Sequence, residues 1–535
     1  MQRLDRFTSN QISLNQISLD QIFSQIQWRW RRWVACWLVM LLFWAGFSPV
    51  ALAQAEPRSE MNIQPYIDGV INRITDFTLD NGLRFIVMER HQAPVISFMT
   101  YVNVGAAEEE DGKTGIAHYL EHLAFKGTTR IGTTDYQAEA PLLDRLDELF
   151  EEIQTAEQAG QADKVVELQQ EFLQIQAEAE QYVKQNEYGQ IVDQSGGVGL
   201  NATTSADATR YFYSFPSNKL ELWMSLESER FLDPVFRGFH EEREVILEER
   251  RTRTDNSPIG KMIEEFLGES LQGQPYSRPV IGYEADIRNI TRPDIQAFFD
   301  TYYTPDNMIV AIVGDVDPNQ VREFAEAYFG RYQARSPVPP LEVVPPERTE
   351  PREVIVEFPS QPWYMEGYQR PPITSLDNQI YNVISSILTS GRTSRLYRSL
   401  IDTQMALSVN ISPTFPGNRF TNLMLVYALT APNHTVDEVA TVMQTEFDRL
   451  RTESIAPEEL DRVKAQTRAS LLQTLASNQG MASLLPEYEA KTGSWRNLFE
   501  DLKRLDAVTA EDVQRVAQEL FQPQNLTVGK LLPAG

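Results

Sequence analysis

Apolar positions along the chain follow two periods. Over residues 74–88, two β-rich runs flank Asp80-Asn81-Gly82; Asn-Gly is a favoured tight turn, so a strand hairpin is predicted, followed by a third strand over 95–104 that ends at Gly105. Past Gly115 the period turns helical, with Ile116, Leu120, Leu123 and Ala124 on one buried face. Residues 136–185 carry two more amphipathic stretches, one through Leu142, Leu146 and Ile153 and one through Val165, Leu168 and Ile175, broken at Ala159-Gly160-Gln161. They read as a helical hairpin inserted as the elaboration of a loop, with a lid or a partner-docking arm as the functional alternative. Residues 196–205 and 210–215 predict another strand pair, whose glycine-rich member could lie at a sheet edge and pair with an extended peptide. Helices follow over 220–231 and about 240–251.

A repeat divides the chain. Thr291-Arg292-Pro293-Asp294-Ile295-Gln296, leading to Pro305-Asp306-Asn307, returns as Thr509-Ala510-Glu511-Asp512-Val513-Gln514, leading to Pro523-Gln524-Asn525, at a constant offset of 218 residues (509 minus 291). Two related halves are expected, each ending in a helix, a turn and a strand. Between them the proline-dense run from Pro337 to Pro346 predicts a stiff, extended tether. The expected division is an export signal over 1–55, a first domain over 56–335 with the hairpin at 136–185, a linker over 336–351 and a second domain over 352–535.

Composition changes the picture in three ways. A hydrophobic share of 42% over 535 residues is that of a globular protein with more than one core. The formal charge of −27 repels a nucleic-acid backbone and suits basic or neutral peptides. Near the N-terminus, Trp28-Arg29-Trp30-Arg31-Arg32, an apolar run over 34–47 and the small residues Ala51-Leu52-Ala53-Gln54-Ala55 form an export signal, too short in its apolar run for a membrane span unless it stays uncleaved as a tether. Its removal deletes five Arg and two Asp and takes the charge to −30. It also removes Cys36, the single cysteine, so the exported chain has no disulfide and any metal must be held by His and carboxylate.

The candidate chemistry lies on the helix after Gly115. His118 and His122 stand four apart, both imidazoles on one side of the helix, with Glu121 beside them to take a proton from a water that a metal polarises. This is the H-x-x-E-H order. The remaining histidines, His91, His240 and His434, lack such neighbours and read as surface or packing residues. A third ligand is best sought on the acidic helix that follows His240, where Glu242 and Glu249 share a face; the residues alone do not choose among Glu244, Glu248 and Glu249.

Four motifs in order carry a family resemblance: His118-Tyr119-Leu120-Glu121-His122 with Phe125-Lys126-Gly127-Thr128, Asn201-Ala202-x-Thr204-Ser205, Glu242-Arg243-x-Val245-x-x-x-Glu249, and Ser394-Arg395-Leu396-Tyr397. Over roughly residues 70–535 the chain resembles the pitrilysin/insulin-degrading zinc metallopeptidases, in particular their short, mitochondrial-processing-peptidase-like branch. The resemblance implies an α+β fold of two tandem homologous domains, each a mainly antiparallel sheet with helices on one face. It implies one zinc per chain on His118, His122 and Glu249, with Glu121 as general base, Glu242 orienting the site, and Asn201 and Ala202 on the strand that holds the substrate. The function implied is a zinc endopeptidase in the periplasm or secreted, acting on peptides or unfolded segments; a catalytically silent binding subunit is the alternative. Family members often carry an Arg and a Tyr after the Ser-Arg-Leu-Tyr segment, where this chain has Ile401 and Leu407. A homodimer, or a heterodimer with a zinc-free subunit that supplies the pair, is therefore expected.

Overall fold

The computed structural model describes residues 64–338, 340–344 and 348–534. The export signal expected over 1–55 and three prolines of the tether (Pro339, Pro345 and Pro346) lie outside the described residues. The fold below is that of the described residues from Ile67 onward; among the described residues no helix is long and apolar enough to cross a membrane.

Two sheets of the same design organise the α+β fold. The first contains β1 (Ile74–Thr78), β2 (Arg84–Glu89), β3 (Val95–Val102), β4 (Val198–Thr204), β5 (Thr209–Pro216) and β6 (Met308–Gly314), in the order β1-β2-β6-β3-β5-β4. The second contains β7 (Arg352–Phe358), β8 (Trp363–Arg370), β9 (Ala406–Phe415), β10 (Asn422–Thr430) and β11 (Leu526–Pro533), in the order β7-β11-β8-β10-β9. Each is antiparallel except for one parallel pair, β2 with β6 and β7 with β11. The second sheet thus repeats the first without its outermost hairpin strand.

The 218-residue repeat accounts for that parallel pair. Thr291 and Thr509 each accept a bond from the amide three residues on, while Asp294 and Asp512 reach back to the threonine amide, so both helices start with a closed capping box. Each helix leads through a short turn into β6 or β11, which enters the sheet interior. The capping chemistry therefore sets where the last strand of each half begins.

Helices of each half cover one face of its own sheet. Phe85, Val87, Phe98 and Tyr213 pack against Trp223, Ile246 and Phe299 in the first, and Tyr368, Met424 and Val426 against Ile384, Phe447 and Phe521 in the second. The opposite faces are covered too, by exchange of helices between the halves. The helix Pro258–Ser270 of the first half lies on β7 and β11, its Met262 and Phe266 filling the space that Gly367 and Gly529 leave free. The helix Asn478–Thr492 of the second half lies on β3 and β6. There Lys491 pairs with Asp207 at 2.9 Å, both almost fully buried, and Glu489 with Arg84 at 2.6 Å. A single face packed by helices was expected from the sequence; long-range exchange leaves no local pattern.

Candidate metal centre

The helix that carries the histidines, α1 (Ile116–Leu123), is fixed at both ends. It begins at Gly115, whose φ of +91° suits glycine and whose absent Cβ would lie 2.6 Å from the Ile281 carbonyl. The Glu109 carboxylate accepts the Gly115 amide at 2.9 Å and the Ala117 amide at 3.0 Å, satisfying two donors of the first turn. Burial pushes the Glu109 carboxyl up to about 8 against the pull of those two bonds. Past the helix, Gly127 takes a φ of +101° where a Cβ would meet the Ile131 carbonyl at 2.1 Å. Arg237 gathers this segment: its guanidinium donates to the carbonyls of Lys126, Thr128 and Ile131 and to Glu139 at 2.8 Å.

Within α1, His118 and His122 lie one turn apart with ring centroids 4.7 Å from each other. The hairpin helices α2 (Tyr136–Gln158) and α3 (Ala162–Glu180) follow, and then α4 (Phe239–Arg250), packed against α1. From α4, Glu249 reaches both imidazoles: Oε1 lies 3.7 Å from His118 Nε2 and Oε2 lies 3.5 Å from His122 Nε2. Glu244 and Glu248 point to solvent, so of the three open candidates the fold brings Glu249 to the histidines.

These donors fit a zinc ion. Ligand atoms on a tetrahedral zinc at its usual bond lengths are roughly 3.3 Å apart, close to the separations found here, and one ligand atom from each of the three residues lies within 4.8 Å of the others. Burial first, and then the neighbouring His122 and Arg253, lower the His118 pKa to about 3, which keeps that imidazole neutral and able to ligate. Burial also disfavours a charged His122, but the 2.7 Å bond from its Nδ1 to Glu242 outweighs it and raises the pKa. With Nδ1 engaged by Glu242, Nε2 is the nitrogen turned to Glu249. Glu242 is itself held at about 2: desolvation opposes ionisation, and the bonds from His122 and Lys126 overcome it.

Glu121 is buried beside the pair, its carboxyl raised by desolvation, and its Oε2 accepts the Thr204 hydroxyl at 2.6 Å. Thr204 ends β4, the outermost strand of the first sheet, on which Asn201 is exposed and Ala202 buried. A cavity of about 530 Å³ opens beside Glu121 and His122, bounded by Asn201, by Leu143 and Leu146 of α2, by Ala179 of α3 and by Phe239 of α4.

The hairpin thus walls the cavity next to the histidines, where the sequence suggested a loop elaboration. Sequence reasoning also missed Thr204, Lys126, Glu109 and Arg253, whose guanidinium lies 2.5 Å from Glu249 Oε1. Strand alternation places Thr204 on the face of Ala202, but its reach to Glu121, 83 residues away, has no sequence signal. His240 packs among the rings of Phe150, Phe172 and Phe239, while His91 and His434 pair with nearby carboxylates. In the second half, Leu407 is exposed on β9 and Ile401 closes the turn before it.

Comparison with known proteins supplies the family. The model for "Insulinase (Peptidase family M16)" matches residues 84–143, and that for "Peptidase M16 inactive domain" matches residues 289–467. The chain is 28% identical over 500 residues to "Zinc protease PqqE" of Helicobacter pylori, covering 91% of this chain and 98% of that protein. It is 23% identical to the "Mitochondrial-processing peptidase subunit beta" of Neurospora crassa, over 84% of this chain and 86% of that one. The crystal structure of a protease from Helicobacter pylori superposes with a TM-score of 0.73 at 27% identity, covering 86% of this chain and 99% of that chain. One family model matches within the histidine-bearing half and the other runs from the end of that half into the second; with a fold shared along nearly the whole of that protease, the chain is similar in both halves to peptidase family M16, the pitrilysin/insulinase family.

Proposed function

We propose that the chain is an exported zinc-dependent endopeptidase that hydrolyses peptides or unfolded polypeptide segments, with one zinc per chain held by His118, His122 and Glu249. The observation that carries the reading is the convergence of those three side chains beside a buried carboxylate. Zinc bound there would act as a Lewis acid and lower the pKa of a water to about 7.

Each protein group then has a task. Glu121 accepts a proton as water oxygen bonds to the peptide carbonyl carbon, and returns it to the amide nitrogen as the C–N bond breaks. Thr204 donates to Oε2 and leaves Oε1 for that proton. Glu242 fixes the tautomer and orientation of His122 through Nδ1. The free edge of β4, at Asn201 and Ala202, would take the substrate as an added strand, giving affinity with loose sequence preference.

The domain division at 56–335 and 352–535, joined by the 336–351 linker, belongs to this reading, as do export by the 1–55 segment and a periplasmic or secreted location. So does a dimer in which a zinc-free partner supplies the Arg and Tyr that Ile401 and Leu407 replace. In the alternative, a silent binding subunit, the fold would serve only to hold partners. The "inactive domain" match falls on 289–467, beyond the metal-ligand candidates, and does not favour it. The test is cleavage of a quenched fluorescent peptide library by the exported chain with and without chelator. Activity should vanish on zinc removal, return on its addition, and fall by about 10²–10⁴-fold in Glu121→Gln. Zinc-replete protein that folds but cleaves nothing, alone or with a partner subunit, would favour the silent alternative.

A further inference from the structure

Glu249 offers its two oxygens to the imidazoles almost evenly, Oε1 at 3.7 Å from His118 Nε2 and Oε2 at 3.5 Å from His122 Nε2. A carboxylate so placed can meet a metal through one oxygen or through both. One group breaks the tie. Arg253, a turn further along the chain, sets its guanidinium on Oε1 at 2.5 Å, and no other lysine or arginine among the described residues pairs with Glu249. The neighbouring arginines are committed elsewhere: Arg250 to Glu264 at 2.8 Å and to the Gly282 carbonyl at 2.6 Å, and Arg251 to Glu248.

The backbone beneath Arg253 is fixed while its side chain is not. Past α4 the chain continues as a π-helical turn over Arg251–Asp255, a widened geometry frequent at functional sites, closed by the Asn256 amide on the Arg251 carbonyl at 2.8 Å. The helix Pro258–Ser270 packs closely against it, since a Cβ on Gly260 would lie 2.0 Å from the Arg253 carbonyl. The Arg253 side chain itself is 71% exposed, against 16% for Glu249. An ion pair so open to water adds little to folding. Its charge nonetheless reaches the centre, being one of the causes that keep His118 neutral.

We propose that Arg253 is a positioning residue of the metal centre: by occupying Oε1 it leaves Glu249 to ligate through Oε2 alone. Three one-atom ligands keep a place open for water and the peptide carbonyl, a place that a two-oxygen Glu249 would fill. The guanidinium also draws charge from the carboxylate, the reverse of what Glu242 does for His122, so the site holds its metal less tightly than its three ligands alone would. The proposal rests on reading His118, His122 and Glu249 as the zinc ligands.

The test compares the full exported chain with Arg253→Met, which keeps the aliphatic stem and loses the charge, and with Arg253→Lys, which keeps a charge. Zinc affinity is read by competition with a chromophoric chelator. Coordination is read from the visible absorption of the cobalt-substituted proteins, which is stronger for four-coordinate than for five-coordinate cobalt. Arg253→Met should bind zinc about tenfold more tightly, lose absorption intensity with cobalt, and show a lower kcat at little-changed KM; Arg253→Lys should stay near the wild type. An arginine that served only to hold the fold would, when removed, loosen the metal. Equal or weaker zinc binding with an unchanged cobalt spectrum in Arg253→Met therefore overturns the proposal and leaves the peptidase reading standing. Tighter binding and the altered spectrum in Arg253→Met, with cleavage by none of the three proteins, uphold the proposal and sink that reading; a wild type that takes up neither metal sinks both.

Discussion

Glu242 stands between two cationic groups, His122 Nδ1 and the Lys126 ammonium, and its carboxyl is held at about 2 instead of the ordinary 4.5. A carboxylate with a depressed folded-state pKa adds stability in full above its unfolded value and loses it as pH falls toward the folded one. The zinc-stripped protein should therefore lose about 2 kcal/mol from this group between pH 4.5 and 2, after discounting for the cavity that borders it. In Glu242→Gln that part of the acid-unfolding curve should flatten, which urea titrations at a series of pH values would read. The same change should weaken zinc binding by about 10–100-fold, since the glutamine can still meet Nδ1 but adds no charge to the imidazole. Much of this scale was legible: five histidines with two in one helical turn singled out His118 and His122, and a carboxylate between them named Glu121. Glu249 needed the family register, because the sequence gives no preference among three glutamates until the helix is rotated against its neighbour. Thr204, Lys126 and Arg253 were not legible, because each acts through a contact set by tertiary packing.

At the scale of elements, Arg237 ties the loop after α1 to the start of the hairpin, bonding three carbonyls and a glutamate that is fully buried. Arg237→Met would leave Glu139 charged in the interior and the Lys126 and Thr128 carbonyls without their donor, while the Ile131 carbonyl keeps the Thr128 amide, at a cost of about 3–5 kcal/mol. A fall in the thermal midpoint, with cleavage by a dilute protease appearing first within 136–185, is the expected outcome; an unchanged midpoint would mean the hairpin docks without this arginine. The hairpin itself was readable, down to the break at Ala159-Gly160-Gln161, because two amphipathic helices of ordinary length leave a periodic trace. Its place beside the metal-ligand candidates was not, since an amphipathic pattern says which face is buried and not what buries it. Strand pairing shows the same division: Asn81-Gly82 announced β1 and β2, whereas the parallel insertion of β6 beside β2 joins residues more than 200 positions apart.

On the scale of the whole molecule, the constant 218-residue offset anticipated two sheets of one design, and the sheets share strand order and the position of their single parallel pair. The exchanged helices were hidden, because the helix Pro258–Ser270 is as amphipathic as one that packs on its own half. Their polar lock is Lys491 with Asp207, which also accepts from Tyr276 and the Asn418 amide. Lys491→Met would strand the Asp207 charge and should cost about 3–5 kcal/mol. The loss should appear as a lower denaturant midpoint, and restoration by Asp207→Asn in the same chain would assign it to the pair.

The most direct measurement of the central claim is zinc content per chain, set beside peptide cleavage, in the wild type, Glu121→Gln, His118→Ala and Glu249→Gln. The account predicts one zinc in the wild type and in Glu121→Gln, little or none in the two ligand variants, and cleavage by the wild type alone. Full zinc occupancy in His118→Ala and Glu249→Gln would place the metal elsewhere, and cleavage surviving in Glu121→Gln would remove the general base; either result would contradict the account.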